Sequence, residues 1–196
     1  VAIVGAALAG LLTTFPLSRE AGIGRVEERT EQIFVVEEAP VLEVDNFAGD
    51  VAVRRGESGE MRIVLTKKAM NSAALNRINV VMTEDDDGVR IRTSHPGVNT
   101  NMSVELEIFV PLNARLDLDT NAGNVQVEGV RGEIRGHTGA GNVSVQGATG
   151  PVALDTGAGN VNYEGRPSDD CVFETGAGNL TLRLPGDIDA EVNLST

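Results

Sequence analysis

The hexapeptide TGAGNV at residues 156–161 decides the fold, because it is one of four near-identical copies in the chain. The other copies begin at Thr120, Thr138 and Thr175; the first two intervals are equal, and the third is longer by one. A nearly fixed period of this size is typical of repeat architectures, in which each repeat is one supersecondary unit packed on the next. The sequence therefore predicts a stack of similar units over this part of the chain.

The residues on both sides of each copy alternate between apolar and polar side chains. Apolar residues mostly stand four and two positions before the threonine and five and seven after it, as Val152, Leu154, Val161 and Tyr163 do around Thr156. This period of two is that of a β-strand, and Gly and Asn tolerate the backbone of a tight corner. Each repeat thus reads as strand, corner, strand and turn. This predicts an all-β chain of the β-solenoid class, similar to a β-helix with repeats of about 18 residues.

The corner pattern extends towards the N-terminus in a weaker form. Residues 46–51 read NFAGDV, and Leu42 and Val44 precede them at the same spacing, so the predicted solenoid domain occupies residues 41–196. Residues 67–77 lack the alternation and are rich in helix formers, which predicts a short helix inserted in the β region. The residues predicted to form the clearest corners are Gly123, Asn124, Gly141, Asn142, Gly159, Asn160, Gly178 and Asn179.

Residues 1–17 contain no charged side chain and read VAIVGAALAGLLTTFPL. As a helix they would span about 25 Å at ~1.5 Å per residue, near the lower limit for crossing a bilayer core. Two interpretations compete: the apolar region of a secretory signal, cleaved after residues 7–9, and an uncleaved transmembrane anchor. We expect the anchor, followed by a polar connector at residues 18–40. Small residues four positions apart would let such a helix pack closely on others, and they are Gly5 with Ala9 and Ala6 with Gly10.

The composition excludes one class of function and limits the role of the cysteine. The 196 residues carry a formal net charge of −13, which argues against nucleic-acid binding because phosphate contacts need clustered Lys and Arg. The one cysteine, Cys171, occupies the place that Ile134 and Val152 take in their repeats. This position predicts a small buried apolar side chain rather than a reactive thiol.

The glycine-rich corners differ from the two ligand-binding loops that they superficially resemble. A phosphate-binding loop needs a helix that begins directly after the glycines, whereas each copy here is followed by a strand pattern. A calcium-binding β-roll would need an Asp carboxylate where Asn142, Asn160 and their equivalents stand. Neutral amides predict instead a ladder of asparagine side chains that hydrogen-bond from layer to layer.

The remaining side chains that carry chemistry are few and dispersed. Residues 84–87, EDDD, precede Gly88 and predict a charged hairpin tip rather than a cation site. His95 and His137, the two histidines, have no Cys or His partner at ligand spacing, and no nucleophile signature is present. We therefore expect a protein that is not an enzyme, with no catalytic residue, no cofactor-binding residue and no metal ligand.

With Leu-x-Leu-x-Thr before a corner and Val-x-Val after it, the TGAGNV repeats resemble the bacterial "putative adhesin" domains of unknown function, also called toastrack-type domains. The resemblance covers roughly residues 41–196, and the helix-like insert at residues 67–77 departs from it. It implies a β-solenoid on the outer side of a bacterial membrane and supplies no catalytic residues.

These inferences together predict a non-catalytic structural or interaction protein. Our leading expectation is a single-pass protein of the bacterial inner membrane, with the bulk of the chain in the periplasm. It would dock as an accessory subunit on a larger membrane complex, such as a photosynthetic or respiratory one. Its partners would be other membrane-protein subunits, met through the anchor helix and the solenoid faces, and the lipid bilayer, without nucleic acid or cofactor. The alternatives are a surface adhesin or polymer-binding module, and an envelope-stress sensor.

Overall fold

The computed structural model of the chain describes residues 25–97, 101–167 and 170–187 in full, and the backbone of residues 2–3 and 13–22. Its strands, in chain order, are β1 Ala2–Ile3, β2 Thr13–Gly22, β3 Arg25–Val35, β4 Val41–Asn46, β5 Val51–Arg55, β6 Glu60–Ala69, β7 Asn79–Asp85, β8 Gly88–Ser94, β9 Met102–Val110, β10 Arg115–Ala122, β11 Val125–Glu128, β12 Ile134–Ala140, β13 Val143–Ala148, β14 Val152–Ala158, β15 Val161–Gly165, β16 Cys171–Thr175 and β17 Leu180–Arg183. The helix α1 covers Ser72–Leu75.

The strands form two mixed sheets. Sheet A has the order β1-β7-β8-β4-β10-β12-β14-β16, and sheet B has the order β17-β15-β13-β11-β5-β9-β6-β3-β2. Side chains alternate between buried and exposed along most strands, and the buried ones from both sheets form one apolar core of Val, Leu, Ile and Met. This arrangement follows from the period of two in the sequence, because alternate residues of a strand face opposite sides of its sheet.

The predicted transmembrane helix is wrong. Within residues 1–22 the structure has the strands β1 and β2, and β2 pairs antiparallel with β3. Across the described ranges, no helix combines the length and the apolar character needed to cross a membrane. Thr13, Thr14 and Phe15 favour a strand, and Pro16 is compatible with one at the edge of a sheet, where β2 lies. The predicted helix-packing residues Gly5, Ala6, Ala9 and Gly10 lie outside the described residues.

The predicted β-solenoid is also wrong as the fold class. A solenoid over residues 41–196 would stack its strands in parallel, whereas β6 runs antiparallel to both β3 and β9, and β7 runs antiparallel to β8. One cause is the tight turn between β7 and β8, where the Asp85 carboxylate accepts hydrogen bonds from the N–H groups of Asp87 and Gly88, each at 3.1 Å. A second cause is β3, which lies in the expected connector and adds an antiparallel strand to sheet B. The fold is therefore all-β, with two open mixed sheets.

The helical insert is much shorter than the predicted residues 67–77. The first three of these residues continue β6, which pairs with β3 on one side and β9 on the other. Pairing on both sides satisfies the backbone and overrides the helix propensity of this stretch. The helix α1 begins after Asn71, whose side-chain oxygen accepts a hydrogen bond of 2.8 Å from the Ala74 N–H and so caps the first turn.

The four TGAGNV copies stack in register at one end of both sheets. Each repeat gives one strand to sheet A and one to sheet B, and all neighbouring pairs among these strands are parallel. The threonines that open the copies are direct partners: Thr120 pairs with Thr138, Thr138 with Thr156, and Thr156 with Thr175. The longer third interval keeps this register because its extra residue falls between β15 and β16.

The third residue after each threonine is a glycine with a backbone that other residues rarely adopt. The φ angles of these glycines lie between 146° and 158°. A Cβ atom added to Gly159 would overlap the carbonyl oxygen of Gly141, the equivalent residue one layer below. The corners therefore pack backbone on backbone, and this spacing requires glycine.

The substitution Gly159→Ala should lower the free energy of unfolding by about 3 kcal/mol, because it combines a steric overlap with an unfavourable φ angle. Urea denaturation of the full chain measures the change. The matched control is Gly186→Ala, since no atom lies within 4 Å of a Cβ added there. The control should stay within about 0.5 kcal/mol of the parent protein. Equal effects of the two substitutions would contradict the close packing of the corners.

Tyr163 is the largest fully buried side chain of the core and the only tyrosine in the chain. Its side chain is 1% exposed, its hydroxyl lies 3.4 Å from the Ala148 carbonyl oxygen, and its ring centroid lies 5.1 Å from that of Phe173. Burial disfavours the charged phenolate and raises the pKa of Tyr163 to about 12.

In the folded protein the tyrosine should therefore ionise at a pH about two units higher than in the unfolded chain, where its pKa is about 10. Absorbance of the phenolate in an alkaline titration checks this directly, because the chain has one Tyr and no Trp. Stability should be independent of this group below pH 10 and should fall between about pH 10 and 12. A phenolate signal that rises near pH 10 while the fold persists would refute the burial of Tyr163.

Candidate binding surface

The asparagines of the corners stand in one column on the surface. The N–H and the side-chain Nδ2 of Asn142 both donate to Oδ1 of Asn124, at 3.0 and 3.1 Å. Asn160 makes the same pair of bonds to Asn142, and Asn179 makes it to Asn160, at distances from 2.9 to 3.2 Å. The lowest member is Asp50, whose Oδ1 accepts from the N–H and Nδ2 of Asn124 at 2.8 and 3.0 Å. The column thus links five layers side chain to side chain.

A second column lies just inside the corners and is built from the threonines. Each threonine hydroxyl donates to the glycine carbonyl of the corner one layer below; the pairs are Thr120 with Gly49, Thr138 with Gly123, Thr156 with Gly141 and Thr175 with Gly159, at 2.9 to 3.2 Å. Thr138 and Thr156 are fully buried, so these bonds satisfy hydroxyls that have no access to water. Sequence reasoning missed this column, although the presence of Thr in all four copies was the available signal.

The outward side chains of β11, β13, β15 and β17 form a surface that we call the polar face. Its first row, nearest the asparagine column, consists of Gln126, Ser144, Asn162 and Thr181, which are register partners in successive strands. Its second row, two residues further along, consists of Glu128, Gln146, Glu164 and Arg183. Adjacent members of a row lie about 4.8 Å apart, the spacing of paired strands. The polar face therefore presents amides and hydroxyls at a regular interval.

A shallow depression lies on the part of the polar face formed by β13, β15 and β17. Its volume is about 220 Å³, and its lining includes Ser144, Gln146, Asn162 and Thr181. Arg183 and Glu164 line the same depression and form an ion pair of 3.5 Å, so that its net charge is small. Of the polar residues that line it, Gln146, Asn162 and Thr181 are exposed and Ser144 is partly buried.

The outer face of sheet B continues from the polar face onto β5, β9 and β6, where it carries charged pairs instead of neutral amides. The Arg54 guanidinium bonds to Glu107 at 2.6 Å and to Glu128 at 3.3 Å. Arg62 lies 4.0 Å from the centre of the Phe109 ring and lines, with Arg55 and Glu60, a cavity of about 450 Å³. Arg54 and Arg62 already have carboxylate or aromatic partners, so a ligand that binds either cation would have to displace an existing interaction.

The outer face of sheet A is richer in ionised groups. On it, Arg90 donates a hydrogen bond to Glu43, and this contact holds the pKa of the Glu43 carboxyl below its ordinary value. The His137 ring lies there too, with Nδ1 2.9 Å from a carboxylate oxygen of Asp155, whereas His95 packs against the Phe47 ring at 4.5 Å. Among the residues that the structure describes, no three His, Cys, Asp or Glu side chains converge as metal ligands.

No protein-family model matches the sequence, and no curated protein matches it. Several solved structures are similar. A "putative cell adhesion protein" from Clostridium sporogenes is 13% identical, with 80% of this chain and 100% of that chain covered and a TM-score of 0.46. A "putative adhesin" from Bacteroides fragilis is 11% identical, with 80% and 97% covered and a TM-score of 0.24. Another from Parabacteroides merdae is 10% identical, with 79% and 95% covered and a TM-score of 0.24. These neighbours carry the description of the family that the TGAGNV repeats resemble; at these TM-scores they decide nothing about function.

The substitution Asn142→Ala should lower the free energy of unfolding by about 1 kcal/mol, because it removes the acceptor for Asn160 and the donor to Asn124. Thermal unfolding of the full chain measures the loss. Asn162→Ala, on the adjacent row of the polar face, removes the same side chain without breaking the column and should change stability by less than about 0.5 kcal/mol. If both variants lose the same stability, the column contributes nothing beyond an ordinary surface asparagine.

Proposed function

We propose that this protein is a non-catalytic binding module of the adhesin type, which holds a neutral, hydroxyl-rich polymer such as a glycan on its polar face. The observation that carries the proposal is the pair of rows on β11, β13, β15 and β17. Their side chains repeat at the strand spacing, and a repeating ligand can meet the same kind of group at each step. The accompanying depression marks where the ligand would lie deepest.

The chemistry of the rows favours a neutral ligand. The first row consists of uncharged donors and acceptors, Gln126, Ser144, Asn162 and Thr181, and amide and hydroxyl groups both donate and accept hydrogen bonds. Sugar hydroxyls have the same double capacity. A polyanion would instead approach a chain with a net charge of −13 and a face with few unpaired cations.

The rigidity of the face supports the same proposal. Each strand that carries the rows is paired along its length, and the asparagine column fixes the corner beside it. A face that is ordered before binding loses little conformational entropy when a ligand settles on it. Many weak contacts along a polymer then add to a useful affinity.

The other functions and the location that the sequence predicts have to be compared with this proposal one by one. The accessory-subunit hypothesis relied on a transmembrane helix for membrane attachment, and the structure contradicts that helix. An extracytoplasmic location follows from the proposed function, because polymers of the cell surface are met there. The descriptions of the structural neighbours as adhesins agree with the proposal, which rests on the polar face alone. The envelope-stress sensor and the absence of enzymatic activity remain predictions.

The test is binding of the full chain to an array of neutral and acidic glycans, followed by the triple variant Gln126→Ala, Asn162→Ala and Thr181→Ala. We expect binding to at least one neutral polymer, and a loss of tenfold or more in the variant, because it removes three of the four members of the first row. The matched control is the triple variant Asp117→Ala, Asp119→Ala and Glu174→Ala on the outer face of sheet A. It should bind as the parent does.

Two results would overturn the proposal. One is the absence of binding to any glycan on the array by the folded chain. The other is an equal loss of binding in both triple variants, which would place the contact elsewhere or make it nonspecific. Circular dichroism of each variant separates a lost contact from a lost fold.

A further inference from the structure

The side chains of the polar face alternate from strand to strand. In the first row, β11 and β15 carry the amides Gln126 and Asn162, whereas β13 and β17 carry the hydroxyls Ser144 and Thr181. Because the register places all four side by side, an amide layer is followed by a hydroxyl layer, and the order then repeats. The chemistry of the first row therefore has a period of two strands.

The second row has the same period. Here β11 and β15 carry the carboxylates Glu128 and Glu164, and β13 and β17 carry Gln146 and Arg183. A carboxylate only accepts hydrogen bonds, whereas the nitrogens of an amide side chain and of a guanidinium donate them. The second row thus alternates between an acceptor and a donor, in step with the first row.

Contacts within the outer face of sheet B orient the groups of the amide layers. Nε2 of Gln126 donates to a carboxylate oxygen of Glu128 at 3.2 Å, and the other oxygen of Glu128 accepts from Arg54 at 3.3 Å. Glu164 lies 3.5 Å from the Arg183 guanidinium. The alternation is therefore a property of the surface before a ligand binds, and a ligand of matching period meets groups that are already placed.

Strand geometry gives the dimensions of the pattern. Paired strands lie about 4.8 Å apart, so the period of two strands is about 9.6 Å. Residues two positions apart in a parallel strand lie about 6.6 Å apart, which is the distance between the two rows. The repeating unit of the polar face thus has the size of two sugar rings laid end to end.

A β-1,4-linked glycan has a repeat of this kind. It forms an extended ribbon in which each sugar is about as long as one strand spacing, and successive sugars are turned over by half a revolution. One edge of the ribbon therefore presents ring hydroxyls and the exocyclic substituent in alternation. An α-1,4-linked glycan coils instead, and its sugars present the same edge at every step.

We propose that the polymer on the polar face is a flat β-1,4-linked glycan that lies across β11, β13, β15 and β17, with one disaccharide for every two strands. This inference rests on the proposed function and adds the linkage of the ligand to it. Sugars of one orientation meet the amide layers of Gln126 and Asn162, and the sugars between them meet the hydroxyl layers of Ser144 and Thr181. The four strands accommodate two disaccharides.

Binding of soluble hexasaccharides to the full chain tests the linkage. Isothermal titration calorimetry compares β-1,4-linked hexasaccharides of glucose, mannose and N-acetylglucosamine with the α-1,4-linked and β-1,3-linked hexasaccharides of glucose. At least one β-1,4-linked hexasaccharide should bind about tenfold tighter than the two other linkages, because its repeat alone matches the period of the surface.

A rearrangement that keeps the composition of the face tests the alternation. The double variant Ser144→Asn, Asn162→Ser puts two amide layers beside two hydroxyl layers, and it should weaken binding of the β-1,4-linked hexasaccharide about tenfold. The matched control His137→Asp, Asp155→His exchanges two register partners of the same two repeats on the outer face of sheet A. It should bind as the parent does, and circular dichroism checks the fold of both variants.

The outcomes separate this inference from the proposed function. If the α-1,4-linked or β-1,3-linked hexasaccharide binds as tightly as the β-1,4-linked ones, the linkage is not recognised and the inference alone is overturned. The same holds if glycans of the array bind but no β-1,4-linked hexasaccharide does. Equal affinities of the rearranged variant and the control mean that the alternation is not recognised. Absence of binding to every hexasaccharide and every glycan of the array overturns the proposed function, and the inference with it.

Discussion

The repeats depend on one steric constraint: the backbone of each glycine corner lies against the backbone of the corner below. A Cβ on Gly123, Gly141, Gly159 or Gly178 would overlap the carbonyl oxygen of the glycine beneath it. Because nothing but glycine fits, consecutive corners are forced to the separation of paired strands. The parallel register of β10, β12, β14 and β16 and of their partners in sheet B follows from this spacing.

The two side-chain columns are consequences of that spacing and also reinforce it. Buried threonine hydroxyls reach the glycine carbonyls below them, and surface asparagines reach each other, because successive layers repeat one geometry. Outside the corners, the same repetition aligns the outward side chains of successive strands in rows. The rows of the polar face are therefore a by-product of a backbone requirement, and a regular surface arises from short, nearly identical sequence units.

The repeats could be anticipated from sequence because everything that determines them is local. The alternation around Thr156 and the glycine and asparagine of each corner recur at a nearly constant interval, and the structure puts strands on both sides of each corner.

The antiparallel pairs of sheet B depend on contacts such as β3 with β6 that no local pattern records. An uncharged run such as residues 1–17 does not distinguish helix from strand by periodicity, and the membrane-helix prediction failed there. The polar face was missed because its members are ordinary polar residues until the register shows that they share a row.

The asparagine column also explains why its first member is an aspartate. Each inner asparagine donates two hydrogen bonds to the layer below and accepts two from the layer above, so the column has a direction. At the bottom layer, acceptance alone is required, and the carboxylate of Asp50 is an acceptor without donors. The neighbouring Asn46 marks the same boundary, because its amide takes the place of the corner threonine and donates to Gly49 and to Val104 of β9, at 3.1 and 3.0 Å. The stack is thus closed by specific side chains where it meets the antiparallel strands.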